Sequence, residues 1–515
     1  MRRPHLIVHS VSTFYLIGLF DLWVGVRTLA ISSVGAYLIA QFIQGPFMPW
    51  IGFVFCMGHM SINQLARQFR NDPGVVDITG AQMVLVMKLT AFCWNVADGR
   101  LPEKDLSDFQ KERAIKQLPS LLDFSGYVLF FPSLMAGPAF DYVEYRRWIE
   151  TTMFEIPAGT DPSKKPPTRK KRKIPRSGTP AAWKAAAGLF WILLFLKLGA
   201  MYYPDLLIGD EYMKYGFLHR VWILHMLGFT SRLKYYGVWA LTEGACILSG
   251  LGYKGIDPVT GKVSWDRLQN VNPWGVESAQ NTRAYLGNWN INTNNWLRNY
   301  MYLRVTPRGK KPGFRASMAT FVTSAFWHGF YPGYYLSFVL ASFIQTVAKS
   351  SSPNFSLCKQ QLTYSVDCRR YLRPFFLDPK TSKPTSYKIY YDILSYLITQ
   401  ITFSFTVAPF VLLTLPASFL VWARVYFYGA ISTLLATAFF ASPAKGYLVK
   451  TLSKRAGTPT LNRTISQDSL SSKEPVLGLP AEPQKDLNEF VDEVRKEIEA
   501  RQRKEKKEGV EKKSL

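Results

Sequence analysis

Apolar residues in this 515-residue chain are gathered into long runs, and its charged residues are concentrated in a few loops and in the C-terminal tail. A helix needs roughly 20 mostly apolar residues to cross a bilayer, and several stretches here have that length and composition. A soluble domain has no reason to carry so many of them. The chain is therefore predicted to be all-α, a polytopic transmembrane helical bundle with roughly nine to twelve spans.

The span boundaries are loose because some segments are short or tilted. Residues 10–26 are a weaker case, since Asp21 and Arg27 interrupt the apolar run. Residues 411–441 are long enough for two helices, with a break near Arg424. The predicted spans are 28–43, 47–66, 79–97, 117–137, 183–203, 218–230, 235–252, 314–330, 333–348, 389–410 and 411–441.

The formal net charge is +26, from 62 Lys and Arg against 36 Asp and Glu. On a soluble protein this excess would favour nucleic-acid binding. Here the basic residues flank apolar spans, so attraction to an anionic cytoplasmic leaflet explains them, and we expect membrane lipids rather than nucleic acid as partners. The basic loop 160–178 is accordingly predicted to be cytosolic.

The composition changes near residue 445, so we assign residues 1–445 to the transmembrane domain. Residues 446–515 are rich in Lys, Glu, Ser and Pro and cannot bury enough apolar area to fold alone, although helical spacing predicts a short amphipathic helix over 486–503. The ending Lys512-Lys513-Ser514-Leu515 resembles the dilysine retrieval signal of endoplasmic-reticulum membrane proteins. Chance in a Lys-rich tail is the alternative explanation. We expect a multi-pass protein of the endoplasmic reticulum with a cytosolic tail.

Five cysteines and six histidines form no metal-ligand spacing. We therefore predict no metal site and no cofactor, and we interpret the cysteines as reduced core thiols.

His328 lies on an otherwise apolar predicted span. An ionisable side chain at membrane depth is destabilising and usually marks a functional site, although a histidine hydrogen-bonded between packed helices is the alternative. Gly329, Pro332 and Gly333 follow it and interrupt the helix. Broken helices are tolerated in the membrane where they line a cavity, which favours the functional interpretation.

The segment 288–304 is dense in amides, aromatic rings and arginines. Trp289 and Trp296 are seven residues apart, which predicts that they share a helical face, with Asn290 and Thr293 close to it. An interfacial segment with an aromatic belt and a helix cap explains part of the pattern. It does not explain five asparagines within eight residues beside apolar spans, because unpaired amides are unfavourable in lipid.

The motifs in question are Trp289-Asn290-x-x-Thr293-x-x-Trp296-Leu297-Arg298, Ser324-Ala325-Phe326-Trp327-His328-Gly329, Pro332-Gly333-Tyr334-Tyr335, Met135-Ala-Gly-Pro-Ala-Phe-Asp141-Tyr142-x-Glu144-Tyr145 and Tyr236-x-x-Trp239-x-x-x-Glu243-Gly244. Together they resemble the membrane-bound O-acyltransferase (MBOAT) family, and within it the lysophospholipid acyltransferase branch, fungal members especially. The resemblance covers roughly residues 10–445 and leaves out the tail. It implies an MBOAT-like helical bundle with an internal substrate tunnel.

The resemblance also implies that an asparagine and a histidine form the catalytic pair, which in this chain are Asn290 and His328, with Asn292 as the alternative if the alignment shifts by two. We assign further residues to substrate binding or to support of the site. The expected substrate-binding residues are Asn292, Thr293, Trp296, Arg298, Arg304, Trp327 and Tyr334, and Asp141, Glu144 and Glu243 are expected to support the site or pair helices rather than catalyse.

The reaction that the resemblance implies moves an acyl group from acyl-CoA to a lysophospholipid hydroxyl. A positioned imidazole can act as general base toward the alcohol, and an amide can donate to the developing oxyanion or orient the reactants. Basic residues between the two motifs, which are Arg298, Arg304, Arg308, Lys310, Lys311 and Arg315, fit the CoA phosphates or serve as ordinary flanking charge.

Other functions remain open from the sequence. Another acceptor (a sterol, diacylglycerol or a protein) would keep the same chemistry. A transporter would carry paired internal repeats, and none is visible. A scaffold recruiting partners through its charged tail, or a homo-oligomer, is compatible with the sequence.

Overall fold

The computed structural model describes residues 2–70, 77–156, 165–169, 174–306, 314–347, 376–377, 384–442, 447 and 451. Nearly all of the regular structure in these residues is helical, which confirms the predicted class. The α-helices are α1 Arg2–Thr13, α2 Trp23–Phe42, α3 Met48–Arg70, α4 Thr79–Gly99, α5 Asp108–Arg113, α6 Leu121–Val128, α7 Tyr142–Ile149, α8 Gly178–Gly199, α9 Pro204–Ile208, α10 Phe217–Ser249, α11 Pro273–Glu277, α12 Thr282–Asn288, α13 Ile291–Leu297, α14 Phe314–His328, α15 Pro332–Val347, α16 Lys388–Leu412, α17 Leu415–Arg424 and α18 Tyr428–Ala441.

Short elements connect these helices. Two π-helical turns continue α1 and α13, over Phe14–Leu19 and Arg298–Tyr302, and several 3₁₀ turns lie between the helices. A small antiparallel hairpin pairs β1, Gly255–Ile256, with β2, Val263–Ser264. The 3₁₀ turns are Glu103–Asp105, Phe131–Ser133, Thr152–Phe154 and Asp210–Lys214.

Four stretches in the described residues are long and apolar enough to cross a membrane: α2, α4, Gly178–Ile208 and α16. The pair α17 and α18 supplies a fifth if it counts as one span, with a bend of 77° between its halves. This confirms a multi-pass membrane protein and the predicted break near Arg424. Fewer helices meet this criterion than the nine to twelve spans predicted, because α14 and α15 are shorter and α3 and α10 are more polar.

Three predicted spans differ from the structure. Residues 117–137 do not form one long helix, because Pro119 and Pro132 confine α6 to 8 residues. Residues 218–230 and 235–252 are not separate spans, since α10 runs unbroken through 33 residues. The gap between the two predicted spans contains Arg232, which forms two hydrogen bonds with Glu277 at 2.7 and 2.8 Å and remains in the helix.

The buried centre of the bundle is α4, which packs between α2 and α3 and is buried on nearly every face. On the other side, α10 packs along α8 and α16, and α15 packs against α14 and α16. The segments that carry the two polar motifs, α13 and α14, contact each other, and α13 also contacts α4. The candidate site therefore lies where the two groups of helices meet.

The basic loop and the tail are described only in part. Arg169 donates hydrogen bonds to Ser177 Oγ at 2.5 Å and to the Leu248 carbonyl, which attaches this part of the loop to the end of α10. Residues 160–164 and 170–173 lie outside the described residues, as do the predicted helix 486–503 and nearly all of the tail. The cytosolic placement of loop and tail stays a prediction.

Candidate active site

The asparagine-rich motif is attached to α4 through two side chains of α13. Thr293 Oγ1 donates to Met87 Sδ at 3.4 Å, and Trp296 Nε1 donates to Thr90 Oγ1 at 2.9 Å. Thr293 and Trp296 are 4% and 5% exposed, so this face of α13 is buried in the protein. Both side chains hold the motif against α4, and their role in substrate contact stays a prediction.

The histidine motif is attached to the same helix. Trp327 Nε1 donates to the Met83 carbonyl at 3.0 Å, and the Trp327 ring lies 6.3 Å from the Trp296 ring, centroid to centroid. Trp327 is also buried, and its predicted role in substrate binding stays a prediction. Since Met83 and Thr90 are seven residues apart, both motifs bind one face of α4 within about 10 Å of helix length.

Asn290 lies at the junction of α12 and α13, where the chain changes direction. It is the N-cap of α13 with φ 45° and ψ 53°, the left-handed region that asparagine tolerates better than most residues. Trp289 just before it is extended and packs on α10 against Tyr235, Tyr236 and Trp239 at 5.1–5.9 Å. The prediction that Trp289 and Trp296 share a helical face was wrong, because the helix breaks between them.

The asparagines around Asn290 satisfy local backbone groups. Asn292 Nδ2 lies within 3.1–3.3 Å of the Leu268 and Gln269 carbonyls and of Asn270 Oδ1. Asn294 Nδ2 donates to two carbonyls, those of Leu286 and Trp289. By contrast, the Asn290 carboxamide makes no hydrogen bond within the described residues. The Asn292 donors are therefore engaged in the described structure, and its role as alternative catalytic or substrate-binding residue stays a prediction.

His328 is the last residue of α14, and its ring is only partly buried. Its neighbours are aromatic, and the imidazole makes no hydrogen bond in the described part of the chain. The ring centroids around it belong to Trp327 at 4.7 Å, Phe410 at 4.9 Å, Phe338 at 5.2 Å and Tyr334 at 5.7 Å. Both imidazole nitrogens are thus available to a substrate, and Tyr334 remains a candidate for substrate contact.

The Pro332-Gly333 step brings Phe410 against His328. Gly333 N–H donates to the Leu413 carbonyl at 2.7 Å, across from the end of α16. A Cβ atom on residue 333 would lie 2.0 Å from the Pro409 carbonyl oxygen, so only glycine allows α15 and α16 to approach this closely. The glycine in this motif is required by the packing of two backbones.

Two of the arginines expected to bind phosphate, Arg298 and Arg304, make other contacts. Arg304 forms two hydrogen bonds with the buried Asp98 carboxylate, at 2.8 and 2.5 Å, and its guanidinium lies over the Trp94 ring at 4.4 Å. Arg298 donates to Asn299 Oδ1 at 3.0 Å. The Arg304 donors are held in this ion pair, and substrate binding by Arg304 stays a prediction. Arg308, Lys310 and Lys311 lie outside the described residues.

Asp141 and Glu144 support the asparagine-rich segment from one side. Asp141 accepts hydrogen bonds from Arg113 at 2.7 Å and from Tyr300 at 2.9 Å, and it shares a capping box with Glu144 at the start of α7. Tyr300 belongs to the π-helical turn that continues α13. Burial raises the pKa of Asp141 to about 6, and the Arg113 guanidinium opposes the rise. This placement agrees with a supporting role.

Glu243 pairs two helices. Its carboxylate forms an ion pair with Lys184 Nζ at 2.8 Å, which joins α10 to α8. Sequence reasoning missed Phe338, Phe410 and Gln64, which surround the histidine motif. The available signal for Gln64 was a polar residue in the apolar run 47–66.

Comparison with known proteins places the chain in a family. The sequence profile of MBOAT, the membrane-bound O-acyltransferase family, matches residues 74–368. A lysophospholipid acyltransferase of Saccharomyces cerevisiae is 42% identical over 440 residues, which are 84% of this chain and 68% of the yeast protein. A lysophospholipid acyltransferase of Schizosaccharomyces pombe is 42% identical over 449 residues, 87% of this chain and 83% of that protein.

An animal relative extends the comparison. Membrane-bound glycerophospholipid O-acyltransferase 1 of Mus musculus is 31% identical over 398 residues, which are 75% of this chain and 73% of the mouse protein. The profile covers more than half of the chain, and the yeast relatives cover most of the predicted transmembrane domain. The family resemblance of the two polar motifs is thereby confirmed, and the chain belongs to the membrane-bound O-acyltransferase family.

Proposed function

We propose that the chain is a lysophospholipid acyltransferase in which His328 is the general base and Asn290 the oxyanion donor. The two fungal relatives carry the name of that activity. The observation that supports the residue assignment is geometric: both motifs bind one face of α4, through Trp296 and Trp327, while the Asn290 amide and the His328 imidazole make no hydrogen bond in the described residues.

The proposed reaction uses acyl-CoA as the donor and needs no metal or cofactor. His328 takes the proton from the lysophospholipid hydroxyl as its oxygen attacks the thioester carbonyl carbon. The negative charge that develops on the carbonyl oxygen accepts a hydrogen bond from the Asn290 amide. The C–S bond then breaks, the imidazolium returns its proton to the CoA sulfur, and the products are a phospholipid and CoA.

The surroundings of His328 suit this chemistry. The aromatic rings of Tyr334, Phe338 and Phe410 exclude water from most of the imidazole, which strengthens electrostatic interactions in the site. They also offer an apolar wall to acyl chains arriving from the membrane. In this proposal the enzyme holds a lipid and a soluble thioester in one tunnel, which converts their encounter into an oriented reaction. In this proposal the protein resides in the endoplasmic-reticulum membrane, with its C-terminal tail in the cytosol.

The test measures transfer from labelled oleoyl-CoA to a panel of lysophospholipids by purified protein in nanodiscs. His328→Ala and Asn290→Ala should lose product at least a hundredfold while folding like the wild type. His225→Ala is the matched control, because His225 is also a helix histidine and bonds Ser404 at 2.9 Å, away from the motifs. Equal product from His328→Ala and the wild type would contradict the assignment of the base.

The acceptor is tested in the same assay by adding a sterol, diacylglycerol and a peptide. Product from one of these and none from any lysophospholipid would refute the proposed acceptor but leave the chemistry intact. Uptake of a lysophospholipid into vesicles without acylation would instead indicate a transporter.

A further inference from the structure

The end of α14 lies inside the protein, and its last carbonyls need donors. A helix end leaves carbonyls without intrahelical partners, and a buried end has little water to replace them. Gly329 N–H lies 3.1 Å from the Ala325 carbonyl and 3.2 Å from the Phe326 carbonyl. The Trp327 carbonyl is part of the peptide bond between Trp327 and His328. It accepts a hydrogen bond from a different helix.

Gln64 of α3 supplies that donor. Its Nε2 donates to the Trp327 carbonyl at 2.7 Å, and the residue is 5% exposed. The same carboxamide lies beside Gly329, where an added Cβ would be 3.9 Å from Gln64 Cδ. One side chain from α3 therefore binds the backbone just before His328 and lies close to Gly329 just after it.

The other half of this carboxamide is unsatisfied. Gln64 Oε1 is buried and makes no hydrogen bond to the described residues. An unpaired buried acceptor is destabilising, and such departures from good packing are expected at functional sites. Stability alone therefore does not account for a glutamine at this position.

We propose that Gln64 is a positioning residue for His328 and acts through the Trp327 carbonyl. The peptide before His328 is held from two helices, since Gln64 binds its carbonyl from α3 and the Trp327 indole binds the Met83 carbonyl of α4. The imidazole itself has only ring contacts in the described structure, so its direction depends on this peptide. The inference deepens the proposed function and rests on it.

The matched experiment compares Gln64→Met with Gln400→Met. Gln400 is 3% exposed, donates through Nε2 to the Val276 carbonyl at 2.9 Å, and also has an unpaired Oε1. It precedes Phe410 by ten residues, about 15 Å along α16. Each variant loses a buried carboxamide that donates to a backbone carbonyl through Nε2 and has an unpaired Oε1. Of the two glutamines, Gln64 is the one beside His328.

The measurements are kcat and both KM values per folded enzyme in nanodiscs, with oleoyl-CoA and the best lysophospholipid. Gln64→Met should lower kcat by about tenfold to a hundredfold, because small misplacements of a base have effects of that size, and should leave both KM values within about twofold. Gln400→Met should keep the wild-type kcat. A kcat for Gln64→Met equal to that of Gln400→Met would overturn the positioning role.

Gln64→Glu has the same shape and tests the role if the methionine variant does not fold. A neutral buried carboxyl keeps one donor for the Trp327 carbonyl, and an ionised one does not. Its kcat should fall at least tenfold relative to the wild type as pH rises through the ionisation of the new carboxyl, and a pH profile parallel to that of the wild type overturns the inference. Full activity of His328→Ala would instead refute the proposed function itself.

Discussion

Replacing Gly333 by alanine tests whether the contact between α15 and α16 shapes the site. The new Cβ would lie 2.0 Å from the Pro409 carbonyl oxygen and 2.8 Å from that of Leu413, whereas ordinary contacts begin near 3.4 Å. Both neighbours are backbone atoms, so no side chain can rotate away. The helices must therefore separate by about 1.4 Å, which is the shortfall at the Pro409 oxygen.

The expected result is a loss of activity larger than the loss of fold. The separation removes the 2.7 Å hydrogen bond from Gly333 to Leu413 and withdraws Phe410 from the His328 ring. A displacement of about 1 Å near a reacting group can lower the rate by roughly a hundredfold, so kcat per folded enzyme should fall by about that factor. The assay is oleoyl transfer by purified enzyme, with folding followed by size-exclusion chromatography and thermal melting.

The control is Gly58→Ala in α3, where an added Cβ meets nothing within 4 Å. Alanine at that position should leave kcat unchanged and should not lower the melting temperature, since alanine favours a helix more than glycine does. If Gly333→Ala keeps both the kcat and the melting temperature of the wild type, the close approach of the two backbones does not govern the position of Phe410, and the reasoning fails.

Two further predictions concern contacts with α4. Arg304→Met leaves the Asp98 carboxylate buried without its partner, so the folded yield should fall, with a destabilisation of about 3–5 kcal/mol, while the KM for acyl-CoA stays unchanged. A raised KM with full stability would restore Arg304 as a phosphate ligand. Trp296→Phe and Thr90→Ala each remove the 2.9 Å hydrogen bond, and a double-mutant cycle should give a coupling of about 0.6–1.7 kcal/mol. Additive effects in unfolding measurements would contradict that bond.

Much of the candidate site could be predicted because chemistry-bearing residues are conspicuous in an apolar background. His328 and the asparagine-rich segment were identifiable from their surroundings in the chain, and the break near Arg424 was evident from length. The roles of individual residues were harder to predict. Asn292 and Asn290 look alike in sequence, and only the carbonyls of Leu268 and Gln269 show that the first is engaged.

Sequence interpretation and structure differ where a charged residue pairs with a residue far away in the chain. Arg232 lies between two predicted spans that are one helix, α10, and Glu277 pairs with it within the protein. Arg304 suggested an anion site, but Asp98, about 200 positions earlier in the chain, holds its guanidinium. The local sequence pattern does not show such partners. A charged side chain is therefore predicted to be exposed unless its counter-ion is known.

The sequence alone predicted a helical membrane protein with an asparagine and a histidine as candidate site residues, because apolar runs and the polar residues among them are properties of the local chain. Only the tertiary structure decided how those two residues are placed. Met83, Met87 and Thr90 lie on one face of α4 because of the helical repeat, and they receive Trp327, Thr293 and Trp296 from segments more than 200 positions away. Contacts of that kind follow from packing and are not encoded in any single stretch of sequence.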